Sequence, residues 1–272
     1  MAIETTEDGY TVPFIETGKC WTSENAVLWE AAGIGTTNEF DLCIKAFAFD
    51  LTKVDLKVFL EGPFNGTGMN TQLNTEVPLS QPFNIEPWFY QGSESFSEVP
   101  ASEIVDWVLV ELRETTGDAA SASSSKIIST QAALLNNNGN IVGLDGLSLP
   151  AFKVHVRNNL YVVIYHRNHL GIMSSAPLSE SNGVYLYDFT TAIDKAYNNG
   201  QKLLGNNLYG MIGGDGIVNG EVNLEDKSGK WNIQAGESGY KESDYNLNRH
   251  VDNPDKVEIW LPNQGRSTQI PE

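Results

Sequence analysis

Residues 244 to 255 read Asp-Tyr-Asn-Leu-Asn-Arg-His-Val-Asp-Asn-Pro-Asp, which puts oxygen-bearing side chains at positions one, three, five, nine and twelve of a twelve-residue loop. A calcium ion takes six to eight oxygens, and alternate residues of a tight loop can all turn inward on one centre. The candidate ligands are Asp244, Asn246, Asn248, Asp252 and Asp255. His250, at the seventh position, would offer its backbone carbonyl with its imidazole turned away. The sixth position, where Gly usually supplies the sharp turn, holds Arg249, a substitution that costs on the order of 1 kcal/mol in a left-handed backbone. The plainer alternative is a solvated turn, since Asn and Asp also bond their own backbone in loops.

A second copy favours the metal reading. Asp215 to Asp226 has the same length, with Asp215, Asn219, Asn223 and Asp226 at positions one, five, nine and twelve and Gly220 at the sixth. Glu221 stands at the seventh position, where the later loop has His250, and joins the candidate ligands. Ile217 at the third position cannot ligate, so this loop should bind more weakly or recruit water. Val222 and Val251 share position eight, where a short apolar residue can pack the two loops together. The surroundings repeat as well: Asp226-Lys227 is followed by Trp231, and Asp255-Lys256 by Trp260, while Leu208-Tyr209-Gly210 and Gly239-Tyr240 precede the loops. Over roughly residues 206 to 262 this arrangement resembles the duplicated calcium segments of dockerins, in which each loop runs into a short helix. The partner-binding residues of dockerins have no matching positions here.

With 35 acidic and 17 basic residues in 272, the net charge is −18. Such a surface repels phosphate backbones and anionic lipid, so nucleic acid is excluded as a partner and membrane insertion is not expected. No run of eighteen apolar residues is present. The opening Met-Ala-Ile-Glu-Thr-Thr-Glu-Asp has neither the basic start nor the apolar stretch of an export signal, so such a signal has been removed or the numbering is that of a recombinant chain. Weak calcium loops fill at the millimolar concentrations found outside cells, which places the mature protein there. Cys20 and Cys43 suit that compartment as one disulfide, or serve as small buried residues; their spacing leaves both open.

The elements that must carry these loops are strands. Leu56, Val58 and Leu60 alternate with Asp55, Lys57 and Glu61 until Gly62-Pro63 stops the run. Val105 to Leu112 is apolar on both faces, as a central strand covered on both sides would be. Lys126 to Leu135 is a further strand, and Asn158-Asn159 predicts a tight hairpin over 151 to 167. The small residues of 117 to 125 predict a mobile surface loop, and Thr190 to Tyr197 a short helix. Ala26 to Trp29 and Phe40 to Phe49 look like strands, either the first of the same sandwich or an extension able to donate a strand to the next subunit.

Leu60-Glu-Gly-Pro-Phe64, Val105-Asp-Trp-Val-Leu-Val-Glu-Leu-Arg113, Ala132-Ala-Leu-Leu135, Tyr165-His-Arg-Asn-His-Leu170 and Tyr187-Asp-Phe-Thr190 look like a β-rich extracellular module of bacterial surface and adhesin-like proteins. In that resemblance the module is followed by a dockerin-like calcium segment, and the likeness runs from about residue 55 to the end. It implies architecture and location more than activity.

Catalytic candidates are weak. His166 and His169 suggest zinc, but no third ligand has suitable spacing, and histidines bonding the loop after a strand are the better reading. Asp106 and Glu111, five residues apart on one strand, face opposite ways and make no glycosidase pair. Glu61 and Glu86 are acidic residues of the kind any such chain offers. There is no nucleophile elbow and no phosphate loop. Trp88, Phe89 and Tyr90 could stack on sugars if exposed, although such rings more often bury their area.

The expected molecule is mainly β, a β-sandwich with a small C-terminal α-helical, dockerin-like calcium segment. Its expected divisions are 1–54, 55–205 and 206–272. The function expected is a non-enzymatic, calcium-stabilised structural or adhesive module of the cell surface, a subunit of an assembly or filament, partnered by copies of itself or by neighbouring modules. Glycan recognition is the alternative, with glycoside hydrolysis third.

Overall fold

The computed structural model describes residues 51–272 in full, and within the first 50 it describes only the backbone of four short strands. These are β1 (Ile3–Thr5), β2 (Cys20–Thr22), β3 (Glu30–Ala32) and β4 (Phe40–Leu42), paired antiparallel as β1 with β4 and β2 with β3. They belong to one compact unit, Met1–Ala48, while Phe49–Glu272 forms another. The Cys20–Cys43 pairing, the strand at Ala26 to Trp29 and the strand-donating extension lie outside the described residues.

The second unit is built on two sheets. One is five-stranded, in the order β11 (His169–Met173), β10 (Asn159–His166), β6 (Ile104–Thr115), β7 (Ile127–Asn136), β8 (Ile141–Val142). The other runs β12 (Ser179–Ser181), β13 (Val184–Asp188), β5 (Thr52–Lys57), β9 (Ala151–Phe152), with β13 parallel to β5. Alternation along β5 buries Thr52, Val54 and Leu56 and leaves Lys53 and Asp55 in solvent. Val54 and Leu56 share one core with Trp107, Leu109, Leu134 and Phe189.

Strand β6 is buried on both faces, as its composition requires. One face meets the opposite sheet. The other is covered by a long connection in which Phe96 stacks on Trp107 at 5.1 Å and Phe83 meets Trp88 edge-on at 4.9 Å. Trp107 keeps its polar atom satisfied by donating Nε1–H to the Pro78 carbonyl at 2.8 Å.

Three local expectations are overturned. Residues 151 to 167 do not fold back on themselves: Phe152 pairs with Thr52 in one sheet, and Leu160 pairs with Glu114 in the other. The Glu114 carboxylate turns the chain between them by accepting from Arg157 N–H at 2.9 Å and Asn158 Nδ2 at 2.7 Å. The hairpin instead is β10–β11, turning at Arg167-Asn168, because the apolar run Leu160 to Ile164 belongs inside a sheet. The small-residue segment 117 to 125 is tied down. Asp118 caps one turn, and Ala119 and Ala122 pack with Tyr161, Val163 and Met173. Finally, Thr190 to Tyr197 contains no continuous helix; single turns at Ile193–Lys195 and Tyr197–Asn199 take its place.

The hairpin of β14 (Lys202–Gly205) and β15 (Leu208–Gly210) leads into the C-terminal part, which has two short helices. The first spans 224–234 and winds as a wider π-type turn over Lys227–Trp231. The second spans 253–263, with a π-type turn over Asp255–Trp260.

Candidate metal centre

The two loops repeat atom for atom at a spacing of 29 residues. In the first, Asp215 accepts from the N–H of Asn219 at 3.1 Å and of Gly220 at 3.0 Å, while Asp226 accepts from Ile217 at 3.0 Å and Asn223 at 2.8 Å. In the second, Asp244 accepts from Asn248 at 3.0 Å and Arg249 at 2.9 Å, while Asp255 accepts from Asn246 at 3.1 Å and Asp252 at 2.8 Å. The residue at position one thus holds the N–H groups of positions five and six, and that at position twelve holds those of three and nine. Each loop curls around a pair of inward carboxylates.

The remaining candidates are arranged around them. Asn219 and Asn248 accept from the N–H of position seven, Glu221 at 3.0 Å and His250 at 2.9 Å. Asn246 accepts from Asn248 N–H at 3.0 Å. Asn223 caps the first helix through Glu225 N–H at 2.7 Å, and Oδ1 of Asp252 is buried with no protein partner. The imidazole of His250 bonds Ser238 at 2.8 Å. Arg249 takes the left-handed conformation of its counterpart Gly220, with φ of 76° against 83°. Val218 and Leu247, both at position four, are also left-handed, at 63° and 57°.

These four aspartates are almost fully buried. Burial is the largest influence on each and raises its pKa, to about 7 for Asp215 and Asp255 and about 6 for Asp244, with Asp226 shifted in the same direction. Repulsion within each pair adds to the shift of Asp215 and Asp255, while the Arg167 guanidinium moderates that of Asp244. Two desolvated carboxylates facing each other, with a cationic side chain acting on Asp244 alone of the four, are what a bound cation would relieve. Among the described residues no three His, Cys, Asp or Glu side chains converge as a ligand group, so the further oxygens of each centre would come from Asn side chains and backbone carbonyls. That mixture suits a hard cation and not zinc.

The loops are joined crosswise. Val222 exchanges backbone bonds with Gly265 and Arg266, beyond the second helix, and Val251 does so with Gly236 and Glu237, beyond the first. Trp231 donates Nε1–H to the carbonyl of Asp252 at 3.0 Å, and Trp260 donates to that of Asn223 at 2.8 Å. Each tryptophan therefore braces position nine of the other loop. The backbones of Val222 and Val251 pair with these crossing segments, while the Val222 side chain packs in one cluster with Tyr245 of the second loop. Val222 packs with Leu170, Ile212, Tyr245, Ile259 and Trp260.

A buried polar network anchors the second loop to the sandwich, and spacing alone did not disclose it. Asp106 Oδ2 accepts from Arg167 Nε at 2.8 Å and lies 3.2 Å from His166 Nε2, while its Oδ1 accepts from Tyr240 at 2.7 Å. Burial alone would raise the Asp106 pKa, but Arg167, then His166 and Tyr240, bring it down to about 2. Arg167 stacks 4.1 Å over the Tyr240 ring and donates to the Lys241 carbonyl. Asn168 donates to the carbonyls of Glu242 at 3.1 Å and Asp244 at 2.8 Å. His166 and His169 share a hydrogen bond at 3.1 Å, and burial lowers the pKa of both. They sit inside the fold on either side of the β10–β11 turn. Gly62 completes the anchorage: a Cβ there would stand 1.7 Å from the Tyr245 carbonyl oxygen.

The other candidates stay apart. Glu111 pairs with Arg113 at 2.7 Å, away from the Asp106 network. Trp88 and Tyr90 pack against the core, and only Phe89 of that trio is largely exposed.

No family model matches the chain, and neither does any curated protein. Two crystal structures do, both of a type II cohesin–X-dockerin complex from Acetivibrio cellulolyticus, one carrying an N-terminal and the other a C-terminal interface mutation. The first is 15% identical with a TM-score of 0.40, over 79% of this chain and 97% of that one. The second is 14% identical with a TM-score of 0.39, over 80% and 97%. Likeness this distant assigns no family.

Proposed function

We propose that this chain is a non-enzymatic, calcium-stabilised structural module that acts outside the cell by docking onto neighbouring modules or copies of itself. The observation that carries the proposal is the duplicated scheme in which Asp215 with Asp226, and Asp244 with Asp255, hold the same loop hydrogen bonds around two buried carboxylates. Asp244 and Asp255, with Asn246, Asn248 and the His250 carbonyl, would hold one ion, Asp252 reaching it through water. Asp215 and Asp226, with Asn219, Asn223 and the Glu221 carbonyl, would hold the other. Bound calcium supplies positive charge to carboxylates that burial otherwise penalises, and so couples binding to folding.

Docking is supported by the helices. Leu224, Ile233, Val257 and Leu261 are 64%, 69%, 42% and 53% exposed, an unusual load of large apolar side chains for two short helices of so acidic a protein. Buried Asp106, His166 and Arg167, by contrast, are engaged in holding the second loop to the sheets. Among the described residues no helix is long and apolar enough to cross a membrane.

Calorimetric titration of the metal-stripped protein tests the reading. Saturable binding of two calcium ions is expected, with the weaker one lost in Asp215→Asn and the stronger in Asp244→Asn. Absence of binding at millimolar calcium would overturn it.

A further inference from the structure

Glu61, Lys202 and Asn263 meet where the sandwich joins the paired loops, and the metal reading uses none of them. Lys202 Nζ donates to Glu61 Oε1 at 2.5 Å and to Asn263 Oδ1 at 2.8 Å. Asn263 Nδ2 donates to Glu61 Oε2 at 2.6 Å and to the Gly213 carbonyl at 2.9 Å. Gly213 N–H donates to Glu61 Oε2 at 3.0 Å. Every polar atom of the Asn263 amide is engaged, so its orientation is set: the oxygen faces the amine and the nitrogen faces the carboxylate. Asn263 is 2% exposed, and the side chains of Glu61 and Lys202 are 10% and 28% exposed.

An amine, a carboxamide and a carboxylate touching both form the reactant set of a transamidation. We propose that Lys202 and Asn263 become joined by an intramolecular isopeptide bond, with Glu61 as the catalytic proton carrier. Glu61 takes a proton from the Lys202 ammonium, which frees the Nζ lone pair. Nζ attacks Cγ of Asn263, and the carbonyl electrons move onto Oδ1. Glu61 passes its proton to Nδ2 and removes a second proton from Nζ. Collapse of the adduct restores the carbonyl and breaks the Cγ–Nδ2 bond, releasing ammonia. The products are the amide, ammonia and a protonated Glu61; no electrons leave or enter. Proximity is what the fold contributes, since amine and amide are held together on elements far apart in sequence.

The bond would close the chain from 202 to 263, a span that encloses both loops. It would staple the ends of a segment whose own apolar cluster is small, so that pulling on the chain could not draw the loops apart.

Intact-mass measurement on the purified, folded chain is the test. The expected mass is one ammonia below that calculated from the sequence. Trypsin should then fail to cut at Lys202 and should release one branched fragment joining 196–227 to 257–266. Glu61→Gln should restore the full mass and the cut at Lys202. The full mass in a wild-type chain shown by its cooperative melt to be folded would overturn the proposal. Ammonia loss without the branched fragment, as from cyclisation at an Asn-Gly pair, would overturn it too. Because mass is read on the denatured chain, failure here leaves the calcium reading standing, and failure to bind calcium leaves the bond standing.

Discussion

The stability gained from calcium should grow with pH between about 4 and about 7, the interval from the ordinary aspartate pKa to the raised values in the loops. A carboxylate whose folded pKa lies above its unfolded value favours the fold at low pH, and that help is lost as the pH climbs through the folded pKa. The metal-free loops are therefore most comfortable when protonated. Calcium needs them ionised and must displace the proton at low pH. Asp215 and Asp255 rise from 3.8 to about 7, so displacing one proton per loop at pH about 4 costs about 4 kcal/mol, at about 1.4 kcal/mol per unit. Above pH about 7 that cost vanishes. The quantity to measure is the difference in unfolding free energy between calcium and EDTA, by chemical denaturation at pH about 4, 6 and 8. His166 and His169, whose lowered pKa values help the fold above 6.5 and cease to help below it, contribute equally to both arms and cancel. The expected difference is small at the acid end and larger by several kcal/mol at the alkaline end, a large share of the ~5–15 kcal/mol stability of a typical domain. A difference that is zero, flat or falling with pH would refute the linkage.

Asp106→Asn should destabilise the protein by about 3–5 kcal/mol in urea, because Arg167 would be left buried without its counter-charge. In the wild type the contribution of Asp106 should disappear as the pH falls from 3.8 toward 2, the sense opposite to the loop aspartates. Gly220→Ala should cost about 1–2 kcal/mol in thermal melts, since φ is 83° and Thr268 Cγ2 lies 3.0 Å from the new methyl group. Arg249→Ala, at the matching position, should change stability by less than about 1 kcal/mol: that backbone already carries the strain, and the lost ion pair to Glu76 is exposed. Trp260→Phe should weaken calcium binding at the first loop more than at the second, because its Nε1–H braces Asn223; titration resolving the two sites would show an equal loss if the crosswise bracing is wrong.

Asn and Asp at alternate positions, Gly220 at the sixth and the repeated Asp-Lys and Trp made the paired loops readable, since twelve residues are close enough in the chain for spacing to dictate which side chains face one centre. The alternation of Val54 to Lys57 and the unbroken apolar run of Val105 to Leu112 likewise marked a half-buried and a central strand, because the period of a strand is a local property, although the expected run to Leu60 leaves the strand after Lys57. What spacing could not supply was partnership across the chain. Asn158-Asn159 looked like a hairpin turn, yet Phe152 and Leu160 belong to different sheets, a choice made by which sheet had room for each. Ala119 and Ala122 lie in a segment that reads as a surface loop, yet they pack beside Tyr161. Asp106, His166, Arg167 and Tyr240 form one buried network although 134 residues separate its ends. Glu61, Lys202 and Asn263 converge from three separate elements. The sequence by itself thus determined the chemistry of the loops and the strand-rich class, both set by neighbours along the chain. Only the tertiary structure decided how the loops are anchored and which amine meets which amide, because those contacts depend on packing between segments that no local pattern encodes.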